Sequence, residues 1–290
     1  MNIIVTGSNG FIGHALVEKL QLAGHRIFGF DVGQGDITEP KALDIFSKYK
    51  IHHLFHLAGK TFVPESWKNP QLFYRVNIMG TIEALRYCRD NKVSLTYISS
   101  YLYGKPEYLP IDEQHPLSAY NPYSHSKLSA EQIVRYFSKE FNIQTTIFRP
   151  FNAYGPGQPK HFLIPEIIAK ALDPENQMIE VNDLRPKRDY IFIDDLVEAL
   201  LRSLSGSPGI YNVGSGYSTS VQEIICETQM LLNSVKQYRD KGDERPNEIF
   251  DLFADISLIK SQLGWEPRTT MKDGLTKCIE FNHHSVRHDE

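Results

Sequence analysis

Tyr123 and Lys127 are the two residues whose types and spacing most directly indicate chemistry. A separation of four residues places a phenol and an ammonium on one face of a helix. A nearby positive charge favours the phenolate, so the pair could exchange a proton with an alcohol or a carbonyl. The lysine could also hydrogen-bond a ribose. The same spacing is common in surface pairs that have no catalytic role.

A glycine-rich turn follows the first predicted strand. Gly7, Gly10 and Gly13 lie between a β-branched run, 2–6, and an amphipathic stretch, 11–22. Glycines at this place let the backbone approach a pyrophosphate at the N-terminus of a helix. Three glycines can also form a tight turn and nothing more. Their position between a strand and a helix favours a dinucleotide-binding turn.

Asp31 ends the second predicted strand, 24 residues after Gly7. A carboxylate here can accept hydrogen bonds from an adenosine ribose and repels a 2′-phosphate. The alternative is a turn residue at a strand end. Asp36 and Ile37 lie in the next loop, where they could cover the adenine. NAD, rather than NADP, is therefore the predicted cofactor.

Ser99 ends the predicted strand 95–99. Ligands of a doubly wound sheet bind beyond the carboxyl ends of its strands, so a hydroxyl at this place can bind a reacting oxygen. A serine at a strand end is also a common turn former. Both interpretations stay open on this residue alone.

The elements that must position these residues alternate along the chain. Helices are predicted at 11–22, 39–49 and 123–141, with a long helical stretch that ends near Arg89, and they separate predicted strands at 2–6, 26–31, 53–57, 95–99 and 145–148. This alternation predicts an α/β fold with a doubly wound parallel sheet of the Rossmann type in residues 1–150. The pattern loosens after Pro150, which predicts a smaller C-terminal substrate lobe in residues 151–290. Segments of that lobe could return to the first domain.

The composition disfavours several classes of protein. A net charge of -4 argues against a broad basic face for nucleic acid. Cys88, Cys226 and Cys278 are too widely spaced for a disulfide framework or a Cys-x-x-Cys metal pair, so we predict a reducing, cytoplasmic location and no metal site. No apolar run approaches the ~18 residues of a spanning helix, so a membrane is not a predicted partner.

The chain resembles an extended short-chain dehydrogenase/reductase of the NAD-dependent epimerase/dehydratase family, which modifies nucleotide sugars. The resemblance covers almost the whole chain. It rests on segments that occur in this order: 6–13, His56-Leu57-Ala58-Gly59, Asn77 with Gly80-Thr81, 99–104, Tyr123 with Lys127, 149–158, 188–190, 211–214 and 263–267.

The resemblance implies a role for each matching residue. Ser99, Tyr123 and Lys127 form the implied catalytic triad, in which Tyr123 is the acid or base and Ser99 holds the sugar oxygen. The implied substrate-binding residues are Ser99, Ser100, Asn152, Arg188 and Arg245, the last three of them on the pyrophosphate of a nucleoside-diphosphate sugar. The implied cofactor-binding residues are Gly7, Gly10, Phe11, Ile12, Gly13, Asp31, Asp36, Ile37, Leu57, Ala58, Lys60, Asn77, Tyr123 and Lys127. A homodimer is the expected assembly. On residue chemistry alone, Asn152 could equally be a loop cap, and the arginines could form surface salt bridges.

Three functions remain open: a reductase, a 4-epimerase and a dinucleotide-binding protein without catalysis. The dehydratases of the family carry Asp-Glu after the hydroxyl residue, and Ser100-Tyr101 stands there in this chain, which disfavours dehydration. A reductase of 4-keto-6-deoxyhexoses is favoured over a 4-epimerase that retains NAD, because the stretch from Asp31 to His53 is short and the adenosine is less enveloped. A dinucleotide-binding sensor or scaffold without catalysis is the remote alternative.

Overall fold

The computed structural model describes residues 1–242 and 249–286. Within these ranges the chain forms twelve strands and ten α-helices. The strands are β1 Asn2–Thr6, β2 Arg26–Phe30, β3 His53–His56, β4 Ser94–Ile98, β5 Thr145–Pro150, β6 Asn152–Tyr154, β7 Met178–Val181, β8 Lys187–Arg188, β9 Tyr190–Phe192, β10 Ile210–Val213, β11 Thr219–Ser220 and β12 Gln237–Asp240. The helices are α1 Phe11–Leu22, α2 Val63–Lys68, α3 Pro70–Tyr74, α4 Gly80–Asn91, α5 Pro122–Glu140, α6 Leu163–Leu172, α7 Ile193–Arg202, α8 Val221–Leu232, α9 Ser257–Leu263 and α10 Met271–Val286.

Six strands form one parallel sheet in the order β2-β1-β3-β4-β5-β10. This arrangement confirms the predicted doubly wound α/β fold. The carboxyl ends of β1, β3 and β4 lie at one edge of the sheet. The residues that follow these strands, Gly7, Leu57 and Ser99, are therefore brought to the same place although they are far apart in the sequence.

The outer end of the sheet is short. In the six-stranded dinucleotide-binding sheet a third strand lies outside the second. Here β2 is the edge strand, and a 3-10 turn, Ala42–Phe46, is the regular element between β2 and β3 in the described chain. An α-helix was predicted at 39–49, and the structure has this shorter 3-10 turn in its place. Among the described residues, therefore, no strand pairs with the outer edge of β2.

Alternating side chains of the strands pack into two cores on opposite faces of the sheet. Ile3 and Val5 belong to the core that includes α1 and α7. Ile4 and Leu54 belong to the core that includes α4 and α5. Each such buried aliphatic side chain contributes roughly 1.5–3 kcal/mol relative to an exposed one. The sheet is therefore held between two helical layers.

Local sequence signals explain where most helices begin. The boundaries of β1 and α1 agree with those predicted. The long helix predicted to end near Arg89 is instead divided into α2, α3, a π-helical turn and α4. Pro64 is the second residue of α2 and Pro70 the first of α3, and proline is tolerated in the first turn of a helix but cannot continue a preceding one.

The chain after Pro150 contributes to both parts of the molecule. Strand β10 pairs in parallel with β5 in the main sheet, and α7 lies in the same core as α1. The pairs β6–β9, β7–β12 and β8–β11 form small separate sheets. Among residues 1–242 and 249–286, no helix is both long and apolar enough to cross a membrane.

Candidate active site

The glycine turn between β1 and α1 has the geometry of an anion cradle. Gly7 has a φ of +70°, the left-handed conformation that favours glycine. A Cβ on Gly13 would lie 1.9 Å from the carbonyl oxygen of Gly7, so α1 can approach the turn because Gly13 lacks a side chain. Gly10 is the N-cap of α1 and provides no side-chain cap. The first N–H groups of this helix and its positive end suit a pyrophosphate, and they belong to Phe11, Ile12 and Gly13.

Asp31 follows β2 directly and lies against the glycine turn. Its carboxylate accepts a hydrogen bond from the backbone N–H of Asn9 at 2.8 Å and another from that of Val32 at 2.8 Å. The side chain of Val32 is 91% exposed. The carboxylate is therefore fixed at the sheet edge, next to solvent.

Asp36 and Ile37 are held by different neighbours. Asp36 accepts from the backbone N–H of Thr38 at 2.9 Å and from Nη2 of Arg75 at 2.7 Å. These hydrogen bonds, first of all those of Thr38, keep the pKa of the Asp36 carboxyl below its usual value. Ile37 is buried, and a Cβ on Gly80 would lie 2.9 Å from its Cγ2, so this glycine admits the isoleucine. Arg75 thus contacts a residue of the predicted adenine site, and no pattern in the sequence had indicated this contact.

Asn77 lies in a π-helical turn, Arg75–Met79, between α3 and α4. Such turns occur frequently at functional sites. Its Oδ1 accepts from the backbone N–H of Lys60 at 2.8 Å, and its Nδ2 donates to the carbonyl oxygen of Lys60 at 3.1 Å and to Oγ of Ser126 at 2.8 Å. A Cβ on Gly59 would lie 2.9 Å from this Oδ1, so this glycine makes room for the amide. Asn77 fixes the loop after β3 against α5, and with it the other predicted cofactor residues of that loop, Leu57 and Ala58.

Helix α5 carries Tyr123 and Lys127 in its first two turns. Asn121 and Ser124 form a capping box: Asn121 Oδ1 accepts from the Ser124 backbone N–H at 2.8 Å, and Ser124 Oγ accepts from the Asn121 backbone N–H at 3.1 Å. Pro122 occupies the first helical position. The start of the helix is therefore fixed by local sequence, and so is the direction of both catalytic candidates.

Lys127 is buried beneath the strand ends. Its Nζ donates to the carbonyl oxygen of Ile98 at 2.5 Å and lies 4.5 Å from the ring centroid of Tyr97. Burial lowers the pKa of Lys127 to about 7, whereas the Glu131 carboxylate acts in the opposite direction. The lysine can therefore gain or lose a proton near neutral pH.

Tyr123 keeps part of its surface exposed, but burial of its phenol raises its pKa to about 12. A side-chain hydrogen bond with Ser100 acts in the opposite direction, and the nearby phenol of Tyr101 adds to the rise. We expected the ammonium of Lys127 to lower this pKa. The structure differs because that ammonium donates to a strand carbonyl and burial is the largest effect on the phenol.

Ser99 and Ser100 follow β4 and have different partners. The Ser99 hydroxyl donates to Oε2 of Glu131 at 2.6 Å and is buried. Ser100 is the serine beside the phenol of Tyr123. We expected Ser99 to face the reacting oxygen, and the geometry differs because successive residues of an extended chain point to opposite sides. The carboxylate of Glu131 occupies the side to which Ser99 points.

Asn152 connects two segments of the predicted substrate site. Its Nδ2 donates to the carbonyl oxygen of Asp189 at 2.9 Å, and its Oδ1 accepts from the hydroxyl of Tyr101 at 3.2 Å. The ring of Tyr101 stacks on Phe151 with centroids 5.2 Å apart. This chain of contacts leads from the amide of Asn152 towards Tyr123.

Arg188 is the neighbour of Asp189 and is half-buried in β8. Its Nη1 donates to the carbonyl oxygens of Lys187, at 2.9 Å, and of Ile249. Arg188 therefore directly precedes Asp189, the residue whose carbonyl oxygen accepts from Asn152. Arg245 lies outside the described residues, so its predicted role stays a prediction.

Sequence analysis missed one ion pair of this region. Arg149 Nη2 lies 2.5 Å from Oε1 of Glu131, and the two side chains are 2% and 1% exposed. The available signal was the position of Glu131, one helical turn after Lys127 and on the same face of α5. Its partner could not be recognised, because Arg149 lies on a strand 18 residues further along the chain.

A nicotinamide dinucleotide fits the residues present. The uncapped N-terminus of α1 and the cradle that a Cβ on Gly13 would fill suit its pyrophosphate. The carboxylate of Asp31 is placed to accept from an adenosine ribose, and it lies against that cradle through Asn9. Lys127 and Tyr123 lie at the carboxyl ends of the strands, the side on which ligands of a doubly wound sheet bind.

Comparison with known proteins agrees with this fit. The model of the NAD dependent epimerase/dehydratase family matches residues 3–214. A GDP-6-deoxy-D-talose 4-dehydrogenase of Aggregatibacter actinomycetemcomitans is 32% identical over 93% of this chain and 94% of that enzyme. A UDP-glucose 4-epimerase of Mycolicibacterium smegmatis is 28% identical over 97% and 98% of the two chains.

A solved structure shows the same relationship. RMD from Pseudomonas aeruginosa, complexed with NADPH, superimposes with a TM-score of 0.90 at 29% identity and covers 98% of this chain and 99% of that chain. Together with the family match over more than half of the residues, these similarities extend along the whole length of the protein. The chain belongs to the NAD-dependent epimerase/dehydratase family and is an enzyme of that family.

Proposed function

We propose that the protein is an NAD(H)-dependent oxidoreductase that acts at C4 of a nucleotide-activated sugar, as a reductase of a nucleoside-diphosphate-linked 4-keto-6-deoxyhexose. The short connection between β2 and β3 carries this proposal. Because β2 is the edge strand and Val32 is 91% exposed, the adenosine side of the site is open to solvent. A reductase must release its spent cofactor in every turnover, which an open site permits.

The relatives support activity at C4 and do not separate its forms. One relative is by its name a 4-dehydrogenase of a GDP-linked 6-deoxy sugar, and the aligned RMD structure holds NADPH. A UDP-glucose 4-epimerase aligns over nearly the same length. The 4-epimerase is therefore the second candidate. It needs the same tyrosine and lysine, and it differs in keeping its NAD through each cycle.

The reduction follows from the positions of three side chains. The glycine turn, Gly7, Gly10 and Gly13, would hold NADH, which would supply a hydride for the reduction at C4. The phenol of Tyr123, which its raised pKa of about 12 keeps protonated at neutral pH, donates a proton to the C4 oxygen. The hydroxyl of Ser100 hydrogen-bonds the same oxygen and orients it. The ammonium of Lys127, which donates to the carbonyl oxygen of Ile98, is proposed to hydrogen-bond the nicotinamide ribose as well.

The diphosphate of the substrate requires donors on the opposite wall. The amide of Asn152 and the guanidinium of Arg188 are proposed to bind it, with Arg245 as a third donor. Guanidinium groups suit this role because they bind phosphate oxygens in a bidentate manner. Tyr101 lies between Asn152 and Tyr123, so the sugar would lie against its phenol.

One assay separates reductase from epimerase. We expect the purified protein to carry little dinucleotide and to consume NADH in stoichiometric amounts over many turnovers with a nucleotide-linked 4-keto-6-deoxyhexose. Tyr123→Phe is the control, because it should bind NADH and lose roughly 10²–10⁴ in turnover. Protein that arrives with stoichiometric NAD, and that interconverts C4 epimers without added cofactor, would instead be an epimerase.

A further inference from the structure

Glu131 is the centre of a buried polar group behind the proposed reaction site. It lies four residues after Lys127 on α5 and is 1% exposed. One of its oxygens accepts from the Ser99 hydroxyl at 2.6 Å and from Nε of Arg149 at 3.2 Å, and the other accepts from Nη2 of Arg149 at 2.5 Å. The carboxylate is therefore fixed by a two-point contact with the guanidinium.

Further contacts hold Arg149 in place. Its Nη1 donates to the hydroxyl of Tyr103 at 3.0 Å and to the carbonyl oxygen of Glu113 at 3.2 Å. The Tyr103 hydroxyl in turn donates to Oδ1 of Asn212 on β10. The group thus joins α5, β5, β10 and the segment after β4. Such rigid support keeps the carboxylate at one distance from the lysine.

Stability is a poor explanation for this ion pair. Removing two charges from water costs as much as their attraction returns, and apolar side chains of similar volume stabilise a core equally well. The Glu131 carboxylate is buried despite this cost of desolvation, and it lies one helical turn from Lys127. We therefore look for an electrostatic role of Glu131.

The surroundings of Lys127 show what that role is. From β3, buried His56 lies near the lysine; burial and then the charge of Lys127 lower the pKa of this histidine. From β4, the ring of Tyr97 and the carbonyl oxygen of Ile98 contact the ammonium. From α5 itself, Tyr123 lies one turn before it and Glu131 one turn after it. Burial lowers the pKa of Lys127, and Glu131 is the carboxylate that opposes this effect.

We propose that Glu131, held by Arg149, is a positioning residue that supplies the negative charge favouring the ammonium form of Lys127. The inference rests on the proposed function of Lys127 in the reaction, since the ammonium form is the donor proposed for the nicotinamide ribose. Glu131 itself touches neither substrate nor cofactor, because Ser99 and Arg149 occupy both of its oxygens.

The test is a titration of Lys127 in the full chain without substrate. Protein labelled with ¹³C at the lysine Cε positions is followed by NMR as a function of pH, and the signal is assigned by its loss in Lys127→Met. Glu131→Gln should move the midpoint of Lys127 to lower pH by about one unit, since loss of a neighbouring opposite charge shifts a pKa by roughly that order. Glu140→Gln, at the exposed end of the same helix, should leave it unchanged.

The pH–rate profile provides a second measurement. Because the ammonium form is required and Glu131→Gln weakens it, the basic limb of kcat/KM should move to lower pH with the NMR midpoint. If Glu131→Gln does not fold, Glu131→Gln/Arg149→Gln leaves no unpaired charge, and the same direction of shift is expected. A folded variant with an unchanged Lys127 midpoint overturns the proposal. The NMR result needs no substrate, so it stays independent of whether the enzyme is a reductase or an epimerase.

Discussion

The hydroxyl of Ser99 donates to Oε2 of Glu131 at 2.6 Å, so a buried carboxylate engages its proton. The next serine, Ser100, takes the place beside the phenol. The two serines are consecutive residues, and their hydroxyls have different partners. They offer a matched pair for testing which hydroxyl meets the sugar.

Ser100→Ala should lower kcat/KM by roughly 10²-fold, because a hydrogen bond to the reacting oxygen is lost. Ser99→Ala should lower it less than about tenfold and should instead reduce the free energy of unfolding by about 1–3 kcal/mol, since a buried carboxylate loses a donor. Steady-state kinetics and urea unfolding of both variants provide the measurements. A large kinetic loss in Ser99→Ala beside a nearly normal Ser100→Ala would reverse the assignment.

Asp31 should decide the choice between the two nicotinamide dinucleotides. The wild-type protein is expected to bind NADH more tightly than NADPH, because the carboxylate repels a 2′-phosphate. Asp31→Ala should narrow the ratio of the two dissociation constants, measured by fluorescence titration. Asp36→Ala is the control, since its carboxylate contacts Arg75 and should affect both cofactors alike. A ratio that Asp31→Ala leaves untouched would remove this role from Asp31.

Acid should destabilise the fold through two buried histidines. Burial lowers the pKa of both His53 and His56 to about 3 from an ordinary value of 6.5. Below about pH 6.5 the unfolded chain therefore binds protons that the folded chain does not, and stability is lost as the pH falls towards 3. At about pH 4.5, two units below the unfolded value, the loss should be roughly 2.7 kcal/mol for each histidine.

Urea unfolding at neutral pH and at about pH 4.5 measures this effect. In His56→Asn the difference between the two pH values should be smaller than in the wild-type protein, because one buried imidazole is gone. His52→Asn is the control, since His52 is exposed. An equal pH difference in wild type and His56→Asn would contradict the linkage.

The sequence by itself determined the features that depend on short spacings. The glycine turn was recognisable because Gly7, Gly10 and Gly13 fix a local backbone path, and the bounds of β1 and α1 followed from it. The spacing of Tyr123 and Lys127 was informative for the same reason, since a helix places residues four apart on one face. Alternation of strand and helix patterns was enough to predict the doubly wound sheet.

The tertiary structure alone decided the contacts between distant segments. Ser99 turns to Glu131, 32 residues away, and Arg75 reaches Asp36 over 39 residues. Sequence spacing cannot encode these pairs, because they depend on which strands become neighbours in the sheet. The pKa of Tyr123 was unpredictable for a related reason. Burial has the largest effect on it, and burial is a property of packing around the group and not of the residues next to it in the chain.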